Sequence, residues 1–448
     1  MPLPRRWWAI AAISFGTSLL VLDGAIANVA LPTIARDLGV SNSVVTNVVT
    51  VYQLVLVMLL LPFSSLGDRM GHRRLYQYGQ ILFMVASALC LFANSLPVLL
   101  LLRALQATGA AMALSVSAAM LRHIYPANRL GTGLGVNSVI VASSSALAPT
   151  LGGYIVGNFD WQWVFVAAAP LAIVSLVLGQ ALPTPEPRER PSDWIGSSWS
   201  ALCMLLVIGG LQLATHGQAL VGAVILFAGF VSIVLLVRRE RANPAPVLPV
   251  DLLSRPVIGL SALASMTSFI AATSMMLSLP FRMQEAMGYD PQTVGLLLLP
   301  FPLTMLIISP LSGWLSDRIA ATKLGVTGLG ITVLGLLSLG FMSNDPGETG
   351  IALRLTFTAL GFGLFFAPNT RLLLGRAPRD RAAAAGGLQS TARLLGQAFG
   401  AVAVGILLAG GLGMGAAPML VSCALCLVAM LCSLTRYHFR DTSPPGTN

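Results

Sequence analysis

The sequence is short of charge, of lysine, of histidine and of cysteine. Only 9% of its 448 residues are charged, against roughly 25% in a typical soluble chain. So few charges cannot cover the surface of a soluble protein of this length. The four histidines stand at loops or ends of apolar runs and share no ligand spacing, so no metal site is indicated. The five cysteines all fall in apolar runs. Even Cys423-x-x-Cys426 has nothing polar around it and reads as packing. The single lysine, Lys323, follows no glycine-rich loop, which leaves no phosphate cradle for a nucleotide. Paired carboxylates, a Ser/His couple and a deep histidine are also missing, so the chain is not read as an enzyme.

What is present is apolar. Hydrophobic residues make up 56% of the chain. Fourteen runs are long enough to span a bilayer, at about 8–31, 44–66, 75–94, 97–121, 132–156, 161–182, 194–215, 217–237, 257–284, 292–314, 324–343, 350–371, 383–409 and 416–435. The first is too long for a cleaved signal peptide and is kept as a helix. The formal charge of +10 suggests nucleic acid until it is located. With the N-terminus in the cytoplasm, twenty basic residues fall in inner loops and two, Arg36 and Arg282, in outer ones. Four more, Arg103, Arg354, Arg371 and Arg393, lie within spans or at their ends. The excess inside is a topology signal. It places both termini in the cytoplasm and removes the case for a nucleic-acid partner.

The chain also repeats. Asp68-Arg69 follows the second run and Asp317-Arg318 follows the tenth, with Pro62 and Pro310 a little upstream. The two aspartates stand 249 residues apart. Two six-helix halves with two helices inserted between them give about this offset. Proline-rich, charged breaks at 183–191 and 238–256 flank the extra pair. The division expected is 1–182, a six-helix bundle; 183–256, a linker with two further spans; and 257–448, a second six-helix bundle. Parallel halves around a midplane site describe a secondary transporter.

Four segments resemble the major facilitator superfamily, specifically its fourteen-helix drug:proton antiporters. Leu22 to Pro32, LDGAIANVALP, is similar to the first-helix motif of that group, with Ala25 where the motif has threonine. Asp68, Arg69, Gly71, Arg73 and Arg74 match the superfamily's loop signature, from which Ser64 and His72 depart. Arg103 to Gly109, RALQATG, is similar to the motif associated with proton coupling. Ser144 to Gly153 is similar to the antiporter motif. Ser144 and Ala148 replace its leading glycines, while Pro149, Gly152 and Gly153 are kept.

The resemblance implies an all-α polytopic membrane protein of major facilitator fold, with two six-helix bundles, two inserted helices and fourteen transmembrane helices. It implies a multi-pass protein of the bacterial inner membrane, set in lipid and acting as a monomer. It implies multidrug efflux, hence antibiotic resistance, driven by the proton gradient with no cofactor. Its cargo would be hydrophobic or cationic small molecules, with neutral compounds and metabolites left open. A proton-coupled metabolite exporter or importer of the same fold is the alternative. A non-transporting membrane sensor or enzyme is the alternative from another class.

The residues carry their own argument. A charge in the bilayer core costs at least about 2.5 kcal/mol, so it marks function by default. Of sixteen acidic residues only Asp23 lies deep in a span. Counted from Leu31 it is about 12 Å deep, and Arg103, counted from Leu96, about 10 Å. The shared depth predicts that the two face each other or a common water-filled space, as a proton-coupling pair or as a static structural pair. Burial favours the neutral acid and a guanidinium favours the carboxylate, so any conformation-dependent change in either shifts proton affinity. Asn28, Gln106, Phe362, Phe366, Asn369, Gln389 and Arg393 are expected to line the cavity. Gln389, Arg393 and Gln397 form one polar stripe at a spacing of four. Arg393 is either a second cavity charge or a helix–helix tie. Asp68, pairing with arginines and a helix N-terminus, is expected with Arg69, Gly71, Arg73, Asp317 and Arg318 to form an inner gate. Pro149, Gly152 and Gly153 bend a helix and allow close approach, or simply pack.

Overall fold

The computed structural model describes residues 3–124, 130–183, 193–215, 218–242, 249–343, 346–378 and 381–439. Among the described residues fourteen helices, several with short helical turns beside them, make up the spanning architecture. They are α1 (Leu3–Asp37), α2 (Asn47–Met70), α3 (His72–Leu89), α4 (Leu96–Ile124), α5 (Leu130–Asn158), α6 (Ala169–Leu178), α7 (Trp194–Thr215), α8 (Ala219–Ala242) and α9 (Pro256–Phe281). Then come α10 in two segments (Pro291–Leu298 and Pro300–Leu315), α11 (Ala321–Gly340), α12 (Glu348–Gly375), α13 (Ala382–Ala409) and α14 (Ala417–His438). Thirteen spans among the described residues are long and apolar enough to cross a membrane. The helix α5, 29 residues long, runs between the fourth and fifth of them. Residues 184–192, which hold all of the proline-rich break but Pro183, residues 243–248 and the basic Arg129, Arg188, Arg190, Arg379 and Arg440 lie outside the described residues.

The apolar runs end where the backbone demands it. The expected span 161–182 resolves into a short turn, Trp163–Val166, followed by α6, with Pro170 in the first turn of the second piece. The span 292–314 breaks at Leu299, because Pro300 cannot donate to the preceding turn. The helix α1 runs past Leu31 to Asp37 with Pro32 inside it. Asp23 therefore sits about 21 Å below the outer end of its helix, not about 12 Å. Asp290 caps α10 by accepting from the N–H groups of Gln292 and Thr293, both at 3.0 Å. These bonds, with that of the Thr293 hydroxyl, hold its carboxyl below the usual carboxylate range. A depressed pKa stabilises the fold above the unfolded value and loses that contribution as pH falls through the folded one. Asp290→Ala is expected to cost about 1 kcal/mol. The loss, read by thermal melting at pH 7, should shrink on acidification.

Packing repeats with the sequence. Gly79 on α3 lies against Gly109 of α4 so closely that an added Cβ would meet the Gly109 carbonyl oxygen. Gly328 on α11 lies against Gly361 of α12 in the same way. Gly79 and Gly328 stand 249 residues apart, the offset of Asp68 and Asp317. One apolar cluster gathers α1 to α6, from Leu19 and Ile26 to Phe165. A second gathers α9 to α12 and α14, from Ala264 to Cys432. Between them in sequence, α7 and α8 pack on each other, tied by Asp193 and Arg239 at 2.7 Å. Ile208 of α7 covers Ala398 and Val402 of α13.

Candidate transport site

Asp23 and Arg103 meet inside the first bundle. Asp23 Oδ2 accepts from Arg103 Nη1 at 2.9 Å, with both side chains at most 1% exposed. The same Nη1 donates to Gln106 Oε1 at 2.8 Å, and Gln106 Nε2 donates to Ser87 Oγ on α3 at 2.8 Å. Arg103 Nε reaches the Val48 carbonyl on α2 at 3.4 Å. The guanidinium lies over the Tyr52 ring at 4.1 Å and over Phe165 at 5.0 Å. One pair thus links α1, α2, α3 and α4. The buried Tyr52 side chain also stands beside the Asp23 carboxylate. The two charges face each other, but through packed protein rather than a water-filled space. Aromatic faces and backbone take up the guanidinium.

The remaining expected cavity residues separate into two groups. Gln106, Phe362 and Asn369 are buried and engaged, so they line no open surface. Gln106 braces Arg103. Phe362 stacks on Phe366 at 5.5 Å with ring planes 8° apart. Asn369 donates to the Ser261 carbonyl at 3.0 Å and accepts from Arg436 Nη1 at 2.5 Å. Arg436, counted from sequence among the inner-loop charges, is itself buried between α9, α12 and α14. Arg282, counted outside, caps α11 by donating to the carbonyls of Leu339, Gly340 and Met342. Partly exposed are Asn28, Phe366, Gln389 and Arg393. Gln389 is tied to Ser265 at 2.9 Å and Thr370 at 3.2 Å. Arg393 has no hydrogen bond or ion pair among the described residues.

At the inner ends each aspartate finds a partner in its own bundle. Asp68 pairs with His72 at 3.1 Å, one helical turn away across Gly71, whose φ of +91° turns α2 into α3. The expected arginine partner is displaced by this shorter reach, and Arg69 lies over Trp194 of α7 instead. Arg73 is partly exposed. Asp317 pairs with Arg371 at 2.5 Å, and Arg318 lies over Trp314 at 4.1 Å. These contacts brace each bundle; they do not fasten the two together.

The bundles meet at their outer ends. Gln284 donates to the Val29 carbonyl at 2.9 Å, and Arg36 pairs with Glu285 at 3.6 Å. Gly153 of α5 crosses Gly295 of α10 with no room for a side chain on either: a Cβ on one would meet Pro291 O, on the other Pro149 O. Gly152 lies as close to the Ile26 carbonyl of α1. Pro149, Gly152 and Gly153 therefore sit where α5 touches both α1 and the second bundle. Sequence reasoning missed Gly295, Gln284, Tyr52 and Ser87. The offset that relates Asp68 to Asp317 does not reach Gly295, and serine, tyrosine and glutamine at these positions look like ordinary helix content.

The model of the Major Facilitator Superfamily matches residues 13–401 and 261–448. The chain is 40% identical to the uncharacterized transporter YebQ of Escherichia coli, over 91% of this chain and 90% of that one. It is 30% identical to the multidrug efflux pump LfrA of Mycolicibacterium smegmatis, over 90% of this chain and 80% of the pump. A solved bacterial homologue of the human lysosomal transporter Spinster, inward-facing and unoccupied, superposes over the full length of both chains with a TM-score of 0.72 at 15% identity. The chain belongs to the Major Facilitator Superfamily, as a multi-pass membrane transporter of small molecules.

Proposed function

We propose that this transporter exports hydrophobic small molecules in exchange for protons, by alternating access. The observation that carries the reading is Asp23, a carboxylate deep in a span, wholly buried and held by a guanidinium. Protonation removes the charge that binds Arg103. The tie between α1 and α4 then weakens, and α1 is the helix that carries Ile26 and Val29 to the outer contacts. Val29 is six residues from Asp23, or about 9 Å along the helix. A proton at Asp23 thus acts on the closure that separates the outward-open from the inward-open state. The outer contacts on Val29, Arg36 and Gly153 belong to a state closed outside. Relatives named for multidrug efflux and for tetracenomycin C export favour the outward direction.

The test uses purified protein in liposomes loaded with pyranine, a pH-reporting dye. A panel of anionic, neutral and cationic hydrophobic compounds is added under an imposed pH gradient. At least one is expected to move uphill with proton flow in the opposite sense. Proton flow in the same sense as cargo would establish import, and no cargo-dependent flow with any compound would overturn proton coupling.

A further inference from the structure

Arg393 differs from five other arginines set within or beside the spans. Arg103, Arg282, Arg354, Arg371 and Arg436 each donate to a carboxylate, a hydroxyl or a carbonyl. Arg393 donates to nothing among the described residues. It lies about 17 Å from the inner end of α13 and about 24 Å from the outer end, so it is near mid-membrane. Its natural counter-charge would be Asp23, which Arg103 already holds.

The packing of α13 shows where the guanidinium points. Gly396 and Gly400 press against Phe269 and Thr273 of α9. Leu394 and Ala401 join the apolar cluster of the first bundle. At about 100° per residue, Arg393 falls between these two stripes and nearly opposite Val402, which faces α7. Its side chain therefore enters the gap between the bundles rather than lipid. Its level follows from Gln389, which ties Ser265 and Thr370. One turn outward from those three residues, about 6 Å, stand Arg393, Phe269 and Phe366. The two phenylalanines are stacked at 4.4 Å with planes 21° apart, and both are partly exposed.

We infer that Arg393, Phe269 and Phe366 form an acceptor for planar aromatic anions, so that the exported cargo carries a negatively charged group. The inference rests on the export reading above and replaces the cationic cargo expected from sequence. A guanidinium forks onto a carboxylate, sulfonate or phosphate. The face of Phe269 turned away from Phe366 takes the ring that bears it, with Phe366 stacked behind. A cation here would meet a like charge at the same level and, among the described residues, no carboxylate that Arg103 does not already hold.

Equilibrium dialysis of the full-length protein in detergent tests this with naphthalene-2-sulfonate and N-methylquinolinium, two-ring ions of opposite sign. The wild type is expected to bind the sulfonate about tenfold or more tighter than the cation. Arg393→Gln should lose about tenfold or more in sulfonate affinity without weakening the cation, and Arg393→Lys should fall between. Arg393→Gln removes a lone charge, so it should fold, and the sulfonate should raise the melting temperature of the wild type but not of this variant. Equal binding of the two ions, or unchanged sulfonate affinity in Arg393→Gln, would overturn the inference. Binding is read without a pH gradient, so a loss of proton coupling leaves this measurement intact and counts only against the export reading.

Discussion

Asp23→Asn is expected to abolish uphill transport and to lower stability by about 3–5 kcal/mol. The size of the second effect comes from what is left behind. Arg103 is 1% exposed, and its remaining acceptors, Gln106 and the Val48 carbonyl, are neutral. Removing one member of a buried ion pair strands the other charge, which costs more than replacing both. The paired substitution Asp23→Asn with Arg103→Gln should therefore melt closer to the wild type than either single variant. Transport separates the readings of the pair. A purely structural pair predicts that the double variant regains uphill transport along with stability. A coupling pair predicts that stability returns and uphill transport does not. Thermal melting and pH-driven cargo uptake in liposomes check the two outcomes side by side.

Gly153→Leu is expected to block closure of the outer side. The crossing of Gly153 with Gly295 brings two helix backbones into direct contact. Helices separated by larger side chains pack about 8–10 Å apart, so a leucine must push α5 and α10 away from each other. The obstacle on the far side is the backbone of Pro291 and Gly295, which cannot swing aside as a side chain could. The population should shift to states open outside, and turnover should fall by about tenfold or more. Spin labels at Asn158 and Gln292, beside the crossing, measure it. Their distance distribution should lengthen in Gly153→Leu, while an unchanged distribution together with normal turnover would show that the crossing is only packing.

What the sequence made legible is what the membrane makes costly. A charge in an apolar run stands out, so Asp23 and Arg103 could be singled out and set at one depth. The loop aspartates and their offset gave the repeat, and Gly79 with Gly328 shows it again in the packing. What stayed hidden depends on helix rotation and on exact helix ends. Gln106, Phe362 and Asn369 have the chemistry of a cavity lining, yet rotation turns them into the bundle interior. Phe366, one turn from Phe362, is partly exposed. Arg436 falls at the end of an apolar run and reads as a loop charge, whereas α14 continues and buries it against Ser261 and Asn369. His72 departs from a basic position of the loop signature, but its spacing of four from Asp68 makes it that residue's partner. Tyr52 and Phe165 were invisible because an aromatic residue in a spanning helix has no sequence mark to say which one cradles an arginine.

The central claim is that Asp23 carries the proton that is exchanged for cargo. It is tested most directly by cargo-dependent proton flux in pyranine-loaded liposomes, comparing the wild type with the Asp23→Asn, Arg103→Gln double variant. The wild type should move protons against cargo. The double variant should still let cargo run down its own gradient and move no protons with it. Proton flux coupled to cargo in the double variant would contradict the account.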